Sequence, residues 1–212
     1  MNAAAHYEAP AADLIASCES TCECSAGERR DMRDLMAAFP TGVAVVAARD
    51  AAGEPKGMTC SSLCSVALDP PTLLVCLRQG GPTAGAVLAS GAFTVNLLDA
   101  DARPTAELFA SGDADRFARV PWRSGEAGPH LTADAHSTAD CRVARTDTVG
   151  DHLVVLGEVL GVTGYRQPRP LLYGLRRFTT WEGEGPTRRP SDRCTPIKVP
   201  DQPNAHDNTE NT

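Results

Sequence analysis

Val43-Ala-Val-Val-Ala-Ala48 is a short, unbroken apolar run closed by the turn signal Asp50-Ala-Ala-Gly53. That is the pattern of a buried strand. Upstream, Ser25 stands three residues before Glu28 in capping-box spacing, and Met32, Leu35, Met36 and Phe39 follow on one helical face until Pro40 stops the helix. Downstream the extended pattern recurs near 56–66, then at Thr72–Leu77 and Phe93–Leu97. It returns at Ala139–Arg145, at Leu153–Val162 after the turn Val149-Gly-Asp-His152, and at Leu171–Phe178. Pro82–Ala89 reads as a short helix with Gly91 past its end. Residues 101–119 read as helix broken at Pro104 and Gly112, and 121–130 as loop. Short strands with so little helix between them give an all-β barrel with minor helices. Most connections are too short for βαβ crossovers, and no G-x-G-x-x-G is present.

The chain has 212 residues, enough for one domain plus tails, and a formal net charge of −7. Residues 1–27 carry four acids and no base, and 182–212 carry six acids against four bases. The span 28–181 is almost balanced, with 17 acids and 16 bases. The expected layout is therefore a disordered acidic, Cys-containing tail over 1–27, one domain over 28–181, and a disordered Pro-rich polar tail over 182–212. The charge argues against nucleic acid as a bulk partner, because such binding neutralises phosphates with a basic face. The longest apolar run, Val43–Ala48, falls far short of the roughly 18 residues that span a bilayer. No basic-then-apolar leader opens the chain, so a cytoplasmic protein with free thiols is expected. Cys18, Cys22 and Cys24 tempt a metal reading, but apart from His6 or a carboxylate no fourth zinc ligand stands near, so no metal is expected. Cys60, Cys64, Cys76 and Cys141 lie on strands and read as small buried hydrophobes. His130 and His136 fall in a polar loop and read as solvated surface groups.

Phe39-Pro-Thr-Gly-Val-Ala-Val-Val46, followed by Gly57-Met-Thr-Cys-Ser-Ser-Leu-Cys-Ser-Val-Ala-Leu-Asp-Pro-Pro71, resembles the short-chain flavin reductase family. The likeness continues in order through Pro82-Thr83, Ser90–Leu98, Asp115-Arg-Phe117, Cys141-Arg-Val143, Gly150-Asp-His152, Gly157-Glu-Val159 and Pro170–Tyr173, covering about 32–180. It implies a homodimeric Greek-key split β-barrel that binds FMN or FAD, with NADH or NADPH as co-substrate. A flavin needs a flat slot, hydrogen bonds to its pyrimidine edge and donors around its phosphate. The resemblance implies that Thr41, Gly42, Met58, Thr59, Cys60, Ser61, Ser62, Ser65, Pro82, Thr83, Asn96 and Phe117 hold the flavin. It implies that Asp151, His152 and Tyr173 lie on the nicotinamide side. Gly57 permits close approach of the ring. The family commonly has Ser before the Pro-Thr pair, whereas Gly81 stands here, and no basic cluster marks the phosphate site, so a weakly held flavin is expected.

Hydride transfer between two cofactors needs stacking and distance, so no acid–base dyad is expected. The reading that follows is an NAD(P)H:flavin oxidoreductase. It would pass diffusible reduced flavin to a separate monooxygenase or halogenase in secondary metabolism. The alternatives are a flavoenzyme that keeps its flavin for its own substrate, and a flavin-binding protein whose reductase activity has decayed.

Overall fold

A computed structural model describes residues 31–181. The expectations for 1–27 and 182–212, with the Cys18, Cys22 and Cys24 cluster and the Ser25 capping box, lie outside the described residues. The described chain opens with helix α1 (Met32–Ala37), where the Asp31 carboxylate accepts from the Arg33 N–H. Strands β1 (Thr41–Gly42), β2 (Ala44–Arg49), β3 (Pro55–Cys60), β4 (Cys64–Leu68) and β5 (Pro71–Arg78) follow. Helix α2 (Pro82–Ser90), β6 (Ala92–Leu98), helix α3 (Arg103–Ala110) and a 3-10 turn (Arg116–Arg119) come next. The remainder is strand: β7 (Arg123–Ser124), β8 (Pro129–His130), β9 (Ala135–Val149), β10 (His152–Gly164), β11 (Leu171–Gly174) and β12 (Arg177–Thr180).

Seven strands form one antiparallel sheet in the order β3-β2-β6-β9-β10-β5-β4. β2 is apolar from Ala44 to Ala48 because those five residues are buried, on both faces of the sheet, and only its last residue, Arg49, is polar. Ala44, Val46 and Ala48 pack with Val75, Leu77, Val87, Phe93 and Val155 in one core, closed by α2. Val43 and Val45 point the other way, into a second core with Ala106 and Phe109 of α3 and with Leu131 and Leu171. The sheet also bends back on itself. Just beyond β3, the Ser62 hydroxyl donates to the Cys76 carbonyl at 3.2 Å and accepts from the Cys76 N–H at 3.1 Å, tying the outer strand to β5.

The mostly-β architecture and α2 are as expected, and Gly91 ends α2 in the left-handed region at φ 66°. Gly150, at φ 58°, turns β9 into β10 where the sequence places that turn. Other expectations are corrected. The extended segment near 56–66 is two strands, β3 and β4, because the chain leaves the sheet at 61–63. Pro104 opens α3 rather than breaking it, since a first-turn proline forfeits no helical hydrogen bond. Leu171–Phe178 is a hairpin, turned by Leu175 and Arg176 at φ 50° and 59°. Two-residue hairpin turns favour positive φ but ordinarily recruit Asn or Gly for it, so no turn signal shows at these positions.

The loop at 121–130 contains β7 and β8, and it carries His130 under the surface. His130 is 3% exposed and His136 7%, so neither is a solvated surface group. Cys64 is exposed on edge strand β4 and is not a core residue, whereas Cys60 and Cys141 are buried. Burial pushes the Cys141 thiol up to about 12, with the Asp140 charge acting in the same direction. The apolar face of α1 covers no core of the described chain: Met32 is 65% and Leu35 63% exposed.

Candidate active site

Three clefts run end to end along β3 and the segment that leaves it. The largest, about 740 Å³, is walled by Lys56, Gly57, Met58 and Thr59 of β3 and by the Arg78–Gly81 link from β5 to α2. Pro82 and Thr83 of α2, and Phe109, Arg116 and Phe117 beneath, complete its lining. A second, about 410 Å³, shares Thr59 with it and adds Ser61, Ser111, Tyr173 and Phe178. A third, about 220 Å³, shares Ser61 with the second and includes Thr41, Gly42, Leu63 and His136.

Local structure positions these residues. The Thr59 hydroxyl donates to the Ala106 carbonyl at 2.6 Å, pinning β3 to α3. Gly57 does allow a close approach, but by protein: a Cβ there would stand 3.1 Å from both the Phe109 and Phe117 rings. Those rings meet edge-on at 5.0 Å and form the apolar floor. Arg116 donates to the Gly57 carbonyl at 2.6 Å, the Phe109 carbonyl at 3.2 Å and the Asp113 carbonyl at 2.7 Å. Its charge thus faces only neutral oxygens. Gly81 caps α2 without a side-chain bond, and the first helical bond there runs from Gly85 to Gly81. The Thr83 and Ala84 N–H groups consequently have no partner within the helix, the arrangement that receives an anion.

Of the residues expected to hold a flavin, Met58, Thr59, Pro82, Thr83 and Phe117 line the large cleft. Ser61 lines the second, and Thr41 and Gly42 the third. Four others line none of the three. Cys60 turns into the core, where burial raises its thiol. Ser62 is committed to β5, and Ser65 stands exposed on β4. Asn96 is fully buried, donating to the Val45 and Pro129 carbonyls and accepting from the Leu131 N–H, so both of its amide donors are spent within the fold.

The residues expected on the nicotinamide side do not cluster. Tyr173 lines the second cleft. His152 pairs in register with Arg78, beside the rim of the large one. Its Nδ1 lies 2.7 Å from the Asp151 carboxylate, whose pKa that hydrogen bond and the adjacent imidazole charge lower. His136, in the third cleft, is a lining residue that the sequence did not mark. Burial lowers its pKa, Arg166 adds to that, and Asp99 opposes it. Nor is the site free of basic residues. Lys56, Arg78 and Arg116 all line the large cleft, though they are scattered in sequence.

These residues fit a flavin phosphate and ring. The donor set at the start of α2 suits an anion, the Met58 and Phe117 walls suit an aromatic plane, and the volume lies within the range of cofactor pockets. Among the described residues no helix is long and apolar enough to cross a membrane.

Comparison with known proteins agrees with this chemistry. The chain is 52% identical over 157 residues to a flavin reductase (NADPH) of Lentzea aerocolonigenes, covering 73% of this chain and 91% of that one. It superposes on the NADH:FAD oxidoreductase SgcE6 of Streptomyces globisporus, solved with NAD and FAD fragments, at TM-score 0.66 and 34% identity over 71% and 90% of the two chains. It also superposes on BorF, the flavin reductase component of a bacterial two-component tryptophan halogenase, at TM-score 0.64 and 29% identity over 72% and 97%. Residues 36–182 match the flavin reductase like domain, and the chain belongs to that family.

Proposed function

We propose that this chain is an NAD(P)H:flavin oxidoreductase that reduces FMN or FAD and releases the reduced flavin to a separate monooxygenase or halogenase. The observation that carries this reading is the large cleft itself, open to solvent, apolar on its floor and furnished with N–H donors at one end. When bound, the flavin supplies a hydride-accepting ring nitrogen and the nicotinamide supplies the hydride. The protein's task is placement. Thr83 and the first N–H groups of α2 anchor the phosphate, while Met58, Thr59 and Phe117 bound the ring. Ser61, Thr41 and Gly42 extend the same groove. His152, steadied by Asp151, orients the nicotinamide from the β9–β10 turn, and Tyr173 borders the groove from β11. Proximity and alignment of two bound reactants account for the rate in such a site, without an acid or base.

The finer architecture belongs to the same proposal. The bent sheet, tied by Ser62 to β5, is a split barrel in a cytoplasmic domain over 28–181, flanked by tails. A second copy covers the exposed α1 face, since Met32, Leu35 and Met36 expose apolar side chains of the kind monomers rarely leave bare together. Steady-state oxidation of NADH and NADPH, with FMN or FAD added, tests the activity. Saturable, flavin-dependent oxidation is expected with at least one pairing, and none with any of the four overturns the reading.

A further inference from the structure

The span 28–181 is almost balanced, with 17 acids and 16 bases, yet the large cleft along β3 gathers positive charge. Lys56, Arg78 and Arg116 line it against one carboxylate, Asp113, and that acid is paired with Arg119 at 3.0 Å. Arg116 is held by three carbonyls and stays in the wall. The other two cations are available. Arg78 ends β5 in an exposed position, where its charge helps to lower the pKa of the exposed Asp151 carboxylate without forming a close ion pair with it. Its carbonyl accepts from the Gly81 N–H at 3.2 Å, which sets it directly against the start of α2. Lys56 reaches the same cleft from β3, and its partner is Asp50, in a solvated ion pair of 3.2 Å. Such pairs are weak and readily exchanged for a better anion. Asp50 does not need the lysine, because it also accepts from the Ala52 and Glu54 N–H groups at 2.9 Å.

The start of α2 accommodates one phosphate. Two further cations lining the same cleft exceed what that phosphate requires. We propose that Arg78 and Lys56 form a second phosphate seat in the large cleft, which selects for a nucleotide bearing a phosphoryl group beyond the first. The inference rests on the reductase reading. Two ligands carry that chemistry there: the adenylate-side phosphate of FAD, absent from FMN, and the 2′-phosphate of NADPH, absent from NADH. Arginine gives a forked pair of donors to phosphate, and lysine a point charge.

Binding tests it without relying on turnover. Dissociation constants for FMN, FAD, NAD⁺ and NADP⁺ are measured by fluorescence quenching and calorimetry on the parent, Arg78→Gln and Lys56→Gln. Arg142→Gln, which removes a charge from an exposed pair with Glu158, serves as the control. Circular dichroism confirms that each variant is folded. The expected result is a loss of FAD-over-FMN or of NADP⁺-over-NAD⁺ preference by about tenfold or more in Arg78→Gln. A smaller loss is expected in Lys56→Gln and none in Arg142→Gln. Which ratio moves identifies the source of the phosphate, and added salt should erode the same ratio in the parent. If both ratios stay within about twofold of the parent in both cleft variants, the seat does not exist. A parent that binds these ligands but oxidises neither reduced nucleotide refutes the reductase reading, and the two ratios still judge the seat. A parent that binds none of the four overturns both.

Discussion

The groove along β3 and the polar cluster beneath β8 contain the same kinds of side chain and direct their hydrogen bonds to opposite ends. Under β8, His130 Nε2 lies 2.9 Å and 3.0 Å from the two Asp140 oxygens, and its Nδ1 lies 2.7 Å from the Tyr165 hydroxyl. Asp140 also accepts from the Ala127 N–H and the Thr94 hydroxyl, and Arg123 reaches the Tyr165 hydroxyl at 3.0 Å. Every one of those bonds stays within the chain. In the groove, Arg78 and the opening N–H groups of α2 point their capacity at solvent-filled space. Polar groups satisfied internally hold a fold together, and polar groups left facing a cavity are what a ligand can use.

The largest expected effect lies in the closed cluster. Asp140→Ala strands His130 and two further donors in a buried site, and should cost about 3–5 kcal/mol of stability. Thermal melting of the apo-protein checks it, with flavin affinity of the surviving folded fraction unchanged. An equal loss of flavin affinity would mean that the two regions are one. In the open groove, Gly81→Ser should tighten flavin binding by roughly 1.5–3 kcal/mol through one hydrogen bond to a charged acceptor. Its Cβ would stand 3.1 Å from the Arg78 carbonyl, so the link must ease slightly to admit it. The melting temperature should rise only slightly, because Ser improves on Gly as a helix cap by a few tenths of a kcal/mol. Titration against FMN and FAD reads the outcome.

His152→Ala should lower kcat/KM for the nicotinamide substrate by roughly 5- to 150-fold, equivalent to about 1–3 kcal/mol, with flavin affinity and melting temperature nearly unchanged. A histidine serving only the turn would instead move stability and both ligands together. The smallest effect is expected from deleting residues 1–24 and 184–212, which lie outside the matched family domain. Melting, gel filtration and turnover should all stay at parental values.

The two regions also differ in how legible they were. The strands of the large sheet could be read because burial imprints apolar runs on contiguous residues, as at Val43–Ala48. The Met58–Ser62 segment could be read because its polar residues lie together along one strand and its exit. The cluster under β8 left no such trace. His130 and Asp140 sit ten positions apart on different strands, and only folding of the 121–130 segment over the sheet buries them together. The cations of the cleft were hidden for the same reason, as 56, 78 and 116 share no period. Asn96 shows the converse: a residue within a matching motif that is buried and whose amide donors are used up by the fold.

Release of reduced flavin from the open groove is the centre of the account, and compartmented reduction measures it directly. Protein is held anaerobically on one side of a dialysis membrane, with NADH or NADPH and FMN or FAD free to cross. Bleaching of flavin absorbance on the far side, well above the rate without protein, is the expected result. Reduction confined to the protein's own compartment would contradict it.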